Sequence, residues 1–126
     1  MGKKILVVDD EPDFLFILNN VLKRAGYNVI SAKSGRECLK KVVKEKPDLI
    51  FLDIMMNDMD GWEVCKKIKK DSPHIPVSMC SILQSSYEID RSFNYAGADE
   101  HLKKPINFKE VLHTAQTLQP ENAPVI

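Results

Sequence analysis

Acidic side chains gather where apolar runs of this chain end. Ile5-Leu6-Val7-Val8 is followed by Asp9, Asp10 and Glu11, and Leu49 to Leu52 is followed by Asp53. Pro76 to Cys80 leads into Ser81, and the short pair His101-Leu102 leads into Lys103-Lys104-Pro105. Carboxylates crowded at one place raise at least one pKa among them unless a cation neutralises the group, and oxygen-only ligands favour a hard ion such as Mg²⁺. Plainer roles compete with this chemistry. An acid pair after a strand also suits a helix N-terminus, and Asp10 or Asp13 could serve that way beside Pro12. Taken alone, Lys104 is a solvated lysine and Ser81 a polar strand end. Asp58 and Asp60 fit loop shaping and capping of the third helix better than metal binding. His74 and His113 fit the surface, and Met55, Met56 and Met59 fit loop and core packing.

Whether those groups meet depends on the elements that carry them. A short apolar run followed by a stretch of helical period recurs five times, with runs at Ile5–Val8, Tyr27–Ala32, Leu49–Leu52, Pro76–Cys80 and His101–Leu102. Unbroken runs of this length suit strands covered on both faces. Phe14, Ile17, Leu18, Val21, Leu22 and Ala25 predict one helical stripe that Gly26 ends. Ile89, Phe93 and Ala96 before Gly97, and Phe108, Val111, Leu112 and Ala115, predict two more. Ser34 with Glu37, Asp60 with Glu63, Ser85 with Glu88, and Asn107 with Glu110 have the spacing of a capping residue and its reciprocal partner. Alternating strands and helices imply parallel strands joined by right-handed crossovers, hence an open α/β sheet with helices on both faces. Ligands of such sheets sit beyond the carboxyl ends of the strands, where strand order reverses. The acids, Ser81 and Lys104 are placed at that edge.

The rest of the sequence narrows the class. A chain of 126 residues is one ordinary domain, and 18 basic against 18 acidic residues argue against a general nucleic-acid or anionic-membrane binder. The opening MGKKILVVDD is too short in apolar residues for a signal peptide or a membrane span, so an intracellular protein is expected. Cys38, Cys65 and Cys80 are widely spaced with no C-x-x-C pair, which indicates neither a disulfide framework nor a zinc site. From Gln119 the chain carries two prolines and no apolar period and reads as a tail or the start of a linker.

VVDDEPD at 7 to 13, Asp53 followed by MMNDMDG at 55 to 61, PVSMCS at 76 to 81 and GADEHLKKP at 97 to 105 together resemble the receiver domain of two-component response regulators. The resemblance implies a (βα)5 flavodoxin-like three-layer sandwich over residues 1–119, with a five-stranded parallel sheet of order 2-1-3-4-5 and a tail at 120–126. It implies that Asp53 is the nucleophile that takes a phosphoryl group from the phosphohistidine of a histidine kinase or histidine phosphotransfer protein. Asp10, Asp53 and the backbone carbonyl of Met55 would bind Mg²⁺ or Mn²⁺, with Asp9 reaching the ion directly or through water. Lys104 would supply a second cation to the phosphoryl oxygens, before a Pro105 expected to follow a cis bond. Ser81 would bond the phosphate and, with the strand-five residue His101, pass the change to the face of helix four, strand five and helix five. A cytoplasmic location, an unspecified downstream protein target, and no nucleic acid or membrane contact through this domain complete the expectation.

Departures from the family pattern bear on rate and readout. His101 stands where an aromatic Tyr or Phe is usual, and is titratable near neutrality. Ile82 replaces a usual Ala or Gly and could crowd the phosphoryl entrance. Asn57 replaces a common proline. Met55 and Leu83 are apolar at the two positions that tune self-hydrolysis, so a long-lived phosphoryl group is expected. After Leu118 only eight residues remain, which leaves both a stand-alone receiver and a receiver cut from a longer protein open. Arg24, Arg36 and Arg91 are the only arginines, which gives poor support to a charge-paired dimer face. A pseudo-receiver acting without phosphorylation is the main alternative. An FMN binder is disfavoured by the acidic loop after strand one, and a haloacid-dehalogenase-type phosphatase by Met55 where a second Asp would be needed.

Overall fold

The computed structural model describes residues 3–118, so the expected tail at 120–126 lies outside the described residues. Five strands form one parallel sheet in the order 2-1-3-4-5: β1 (Lys4–Val8), β2 (Asn28–Ala32), β3 (Leu49–Asp53), β4 (Val77–Ser81) and β5 (Glu100–Lys103). The connecting helices are α1 (Pro12–Arg24), α2 (Gly35–Glu45), α3 (Gly61–Asp71) and α4 (Ser86–Asp90), which continues as a π-helix over Arg91–Tyr95; α5 (Phe108–Thr117) follows β5. No helix among the described residues is long and apolar enough to cross a membrane.

The unbroken apolar runs are explained by what covers them. Side chains alternate across a strand, so Ile5, Val7, Leu49 and Phe51 face Leu15, Leu18 and Leu22 of α1 and Val111 and Ala115 of α5. Leu6, Val8, Ile50 and Leu52 point the other way, into a core shared with Cys38 and Val42 of α2, Val64, Cys65 and Ile68 of α3, and Ala96. Both faces of the central strands are therefore dry. β2, paired only with β1, is an edge and only its last residue, Ala32, is buried.

The helices adjust the expected stripes. α1 buries Leu15, Leu18 and Leu22, while Ile17 is 48% exposed. The inward face is rotated toward Leu15, because a run of Phe14, Leu15, Phe16, Ile17 and Leu18 offers two adjacent stripes and only one meets the sheet. Past α4 the wider π-turn carries Phe93 out to 41% exposure and buries Ser92 in its place. In α5, Phe108 faces out and Thr114 joins Val111 and Ala115 inside. All four expected N-caps are made, but only Ser85 and Glu88 form the full reciprocal box. At α2, Glu37 accepts from Lys33 N instead of the cap residue. At α3, Glu63 is drawn to Tyr95 and Arg91, and at α5 Asn107 accepts from Lys109 N. Gly26, with φ +99°, ends α1 as expected.

Candidate functional site

Sheet register assembles the site. Val8 pairs with Leu52, so the residues that follow, Asp9 and Asp53, sit side by side between β1 and β3, where the strand order reverses. Asp53 pairs with Cys80 and Ser81 with Lys103, which brings Ser81 and Lys104 to the same edge. Carboxylate oxygens of Asp9, Asp10 and Asp53 lie within 4.8 Å of one another. Lys104 Nζ donates to Asp9 Oδ2 at 2.6 Å and to Asp53 Oδ1 at 3.3 Å. The Lys104–Pro105 bond is cis. An open pocket of about 270 Å³ spans Asp10, Asp53, Met55, Ser81, Ile82 and Lys104.

The electrostatics follow from burial. Asp9 is fully buried and its other oxygen accepts from Glu11 N at 2.9 Å. Desolvation, then the Asp9 charge, pushes the Asp53 carboxyl up to about 6 against the pull of Lys104 and of the Met55 backbone N–H. Burial works against the Lys104 ammonium, yet its hydrogen bond to Asp9 and the charges of Asp53 and Asp9 outweigh that and move its pKa upward. Phe14 lays its ring 4.5 Å from the ammonium. One cation thus serves three carboxyl groups, two of them buried. This oxygen-only set, short of positive charge and with Asp53 raised, fits a hard divalent ion.

Ser81 is buried, and its Oγ accepts from Leu83 N at 2.9 Å while Gln84 Nε2 donates to its carbonyl at 2.9 Å. His101 is half-buried and turned inward, with Nδ1 2.7 Å from Ser92 Oγ and Nε2 2.9 Å from Leu83 O. Gln84 Nε2 lies 3.1 Å from the same ring nitrogen, so His101 Nε2 faces both an acceptor, Leu83 O, and an amide donor. Ser92 Oγ also accepts from Trp62 Nε1 at 3.0 Å, so one hydroxyl links the indole and the imidazole. The expected switch residues are linked through Leu83, and the polar side chain of His101 has polar partners. Ile82 is 66% exposed and lines the pocket.

Other assignments divide. Asp60 caps α3 through Glu63 N at 2.9 Å. Asp58 caps α2 instead, accepting from Gly35 N and Arg36 N at 2.9 Å each. His74 and His113 are exposed; Met56 and Met59 pack on the core while Met55 stands out. The three cysteines are free and buried, and burial pushes the Cys38 and Cys65 thiols up to about 12. Sequence reasoning missed Ser92, which replaces an apolar residue in the stripe only because of the π-turn, and Phe14 as a neighbour of Lys104. It also missed Gly61, where an added Cβ would lie 2.2 Å from Asp53 O.

Comparison with known proteins bears on the family and the fold. The family model for the response regulator receiver domain matches residues 5–116. The chain is 44% identical over 112 residues to the alkaline phosphatase synthesis transcriptional regulatory protein PhoP of Bacillus subtilis (strain 168), with 88% of the chain aligned and 46% of that protein. It therefore spans about half the length of this curated relative. A CheY-like receiver domain protein of Methanospirillum hungatei JF-1 superposes with a TM-score of 0.87 at 33% identity, over 92% of each chain. The chemotaxis protein CheY4 of Vibrio cholerae gives 0.87 at 32% identity, over 94% of this chain and 99% of that one. With the strand order, the acid cluster and the matched residues in agreement, the chain belongs to the response regulator receiver domain family.

Proposed function

We propose that this receiver is a working phosphoacceptor in His-Asp signal transduction, with Asp53 as the phosphorylated residue. The observation that carries the reading is the meeting of Asp9, Asp10 and Asp53 with the single ammonium of Lys104 at the switch point of the sheet. With its carboxyl pKa near 6, Asp53 is mostly ionised at pH 7 and nucleophilic. Its oxygen attacks the phosphorus of a phosphohistidine, an O–P bond forms, the P–N bond breaks, and the imidazole leaves with a proton from water. Lys104 is placed to meet charge on the phosphoryl oxygens. Asp10, Asp53 and the Met55 carbonyl, with Asp9 direct or through water, would hold Mg²⁺ or Mn²⁺, which when bound supplies further charge neutralisation of the transferring group.

The Ser81 hydroxyl, now an acceptor for Leu83 N, has a proton free to turn toward a phosphoryl oxygen. Such a turn would disturb Leu83, whose carbonyl is held by His101, and so reach the face of α4, β5 and α5. Apart from its own phosphotransfer and autodephosphorylation, no enzymatic turnover is assigned. Met55 and Leu83 offer no group to orient an attacking water, which favours slow self-hydrolysis. A groove of about 450 Å³ beside the site, lined by Phe14, Ile17, Ile82, Pro105, Ile106 and Phe108, gives a kinase or phosphotransfer protein an apolar footing next to Asp53. The domain spans residues 1–119, with 120–126 a tail or linker, acts in the cytoplasm, and passes its state to a downstream protein rather than to nucleic acid or membrane.

Incubation with acetyl phosphate and Mg²⁺, followed by intact mass, tests the reading. One added phosphoryl group, absent without Mg²⁺ and absent in Asp53→Asn, is expected. No adduct from acetyl phosphate or from a phosphohistidine donor, in folded protein, would favour a module that binds partners without phosphorylation.

A further inference from the structure

The loop from Ile54 to Asp60 is fastened at two places. At its base Gly61 N donates to Ile54 O at 2.7 Å. At its far side both carboxylate oxygens of Asp58 accept from the backbone of α2, from Gly35 N and Arg36 N. Ser34 takes the next donor, Glu37 N, at 3.1 Å. The first N–H groups of α2 are therefore satisfied, two of them by a residue from a different loop. The approach is close: a Cβ on Gly35 would lie 2.8 Å from Val64 Cγ2 and 3.0 Å from Met59 Cβ. Hydrogen bonds from Arg36 N and Gly35 N also hold the Asp58 carboxyl below its ordinary value, so it stays ionised on that helix end. A nearby Ser, Thr or Asp could have capped α2 as well. What the distant carboxylate adds is a fixed loop.

We infer that Asp58 is a positioning residue for the phosphoacceptor site: anchored on the N-terminus of α2, it holds the loop that carries Met55 against Asp53. Met55 lines the same pocket as Asp53, and its backbone N–H draws the Asp53 carboxyl pKa downward. Its carbonyl is the backbone ligand in the function proposed above, and the inference rests on that reading for its effect on the metal. Asp58 touches neither the acid cluster nor Lys104, so it acts through Met55.

The full chain is titrated with Mg²⁺ alone, followed by amide NMR shifts, and hydrogen exchange of the Met55 amide is measured without metal. Asp58→Ala is compared with Asp58→Asn, which keeps one acceptor oxygen, and with Ser34→Ala, which weakens the same helix end but leaves the loop bond intact. Asp58→Ala is expected to speed Met55 exchange and to weaken Mg²⁺ binding by about tenfold. Asp58→Asn should recover most of both, and Ser34→Ala should change neither. Phosphorylation of Asp58→Ala by acetyl phosphate should be slow at low Mg²⁺ and recover at saturating Mg²⁺. Unchanged Met55 exchange in Asp58→Ala, or equal losses in Ser34→Ala, would overturn the inference. If wild type binds no Mg²⁺, the metal reading fails by itself, and the exchange rates still decide the role of Asp58.

Discussion

Replacing Asp53 by Asn should stabilise the metal-free protein, and by an amount that depends on pH. The carboxyl stands at about 6 in the fold against an ordinary 3.8, because it is desolvated and faces Asp9. Between those two values the folded protein keeps a proton that the unfolded chain has released. Wild-type stability therefore falls as pH rises through this window, and the full deficit is present above pH 6. At about 1.36 kcal/mol per pH unit, the displacement from 3.8 to about 6 makes ionised Asp53 about 3 kcal/mol harder to keep folded at pH 8. At pH 4.5 only about 1 kcal/mol of that remains by the same linkage, since the folded carboxyl is then mostly protonated. Asn does not titrate. The stability gain of Asp53→Asn over wild type, from urea unfolding in EDTA, should thus grow by about 2 kcal/mol from pH 4.5 to pH 8. Mg²⁺ should narrow the gap at pH 8 by binding the wild type. A gain that is equal at both pH values, or a variant less stable than wild type at pH 8, would refute the argument that three carboxyl groups share too little positive charge.

Other perturbations probe the frame around the site. Gly61→Ala should cost more than about 3 kcal/mol or abolish folding, because the added Cβ would meet Asp53 O at 2.2 Å and backbone cannot yield there; urea unfolding would show it. Ser92→Ala should cost about 1–3 kcal/mol by leaving Trp62 Nε1 and His101 Nδ1 without their shared partner, and should shift the fluorescence of Trp62, the sole tryptophan. Ile82→Ala should speed phosphorylation by acetyl phosphate by about tenfold, equivalent to about 1.4 kcal/mol of barrier, in a time course read by intact mass.

Much of this structure is legible in the sequence because the central strands are covered on both faces. Ile5–Val8 and Leu49–Leu52 are continuous apolar runs for that reason, and the acids after them mark where the runs end. The helix starts were equally plain, since a Ser, Asp or Asn cap is a local matter of orphan donors. Facing was harder. In α1 two adjacent stripes are apolar, and only packing on the sheet selects Leu15 over Ile17. In the segment after α4 a π-turn shifts the angular count, so Ser92 goes in and Phe93 out, which no 3.6-residue period anticipates. The site residues could be placed at one edge by topology alone. The partners of His101, the ring of Phe14 beside Lys104, and the reach of Asp58 across to α2 are long-range contacts with no local pattern to announce them.

The central claim is that Asp53 is the residue that carries the phosphoryl group. Borohydride reduces an aspartyl phosphate to homoserine, so the most direct measurement is peptide mass mapping after acetyl phosphate, Mg²⁺ and borohydride. Homoserine is expected at position 53, dependent on both donor and Mg²⁺, and at no other aspartate. Conversion at Asp9 or Asp10 instead, or none anywhere in a protein shown by intact mass to be phosphorylated, would contradict it.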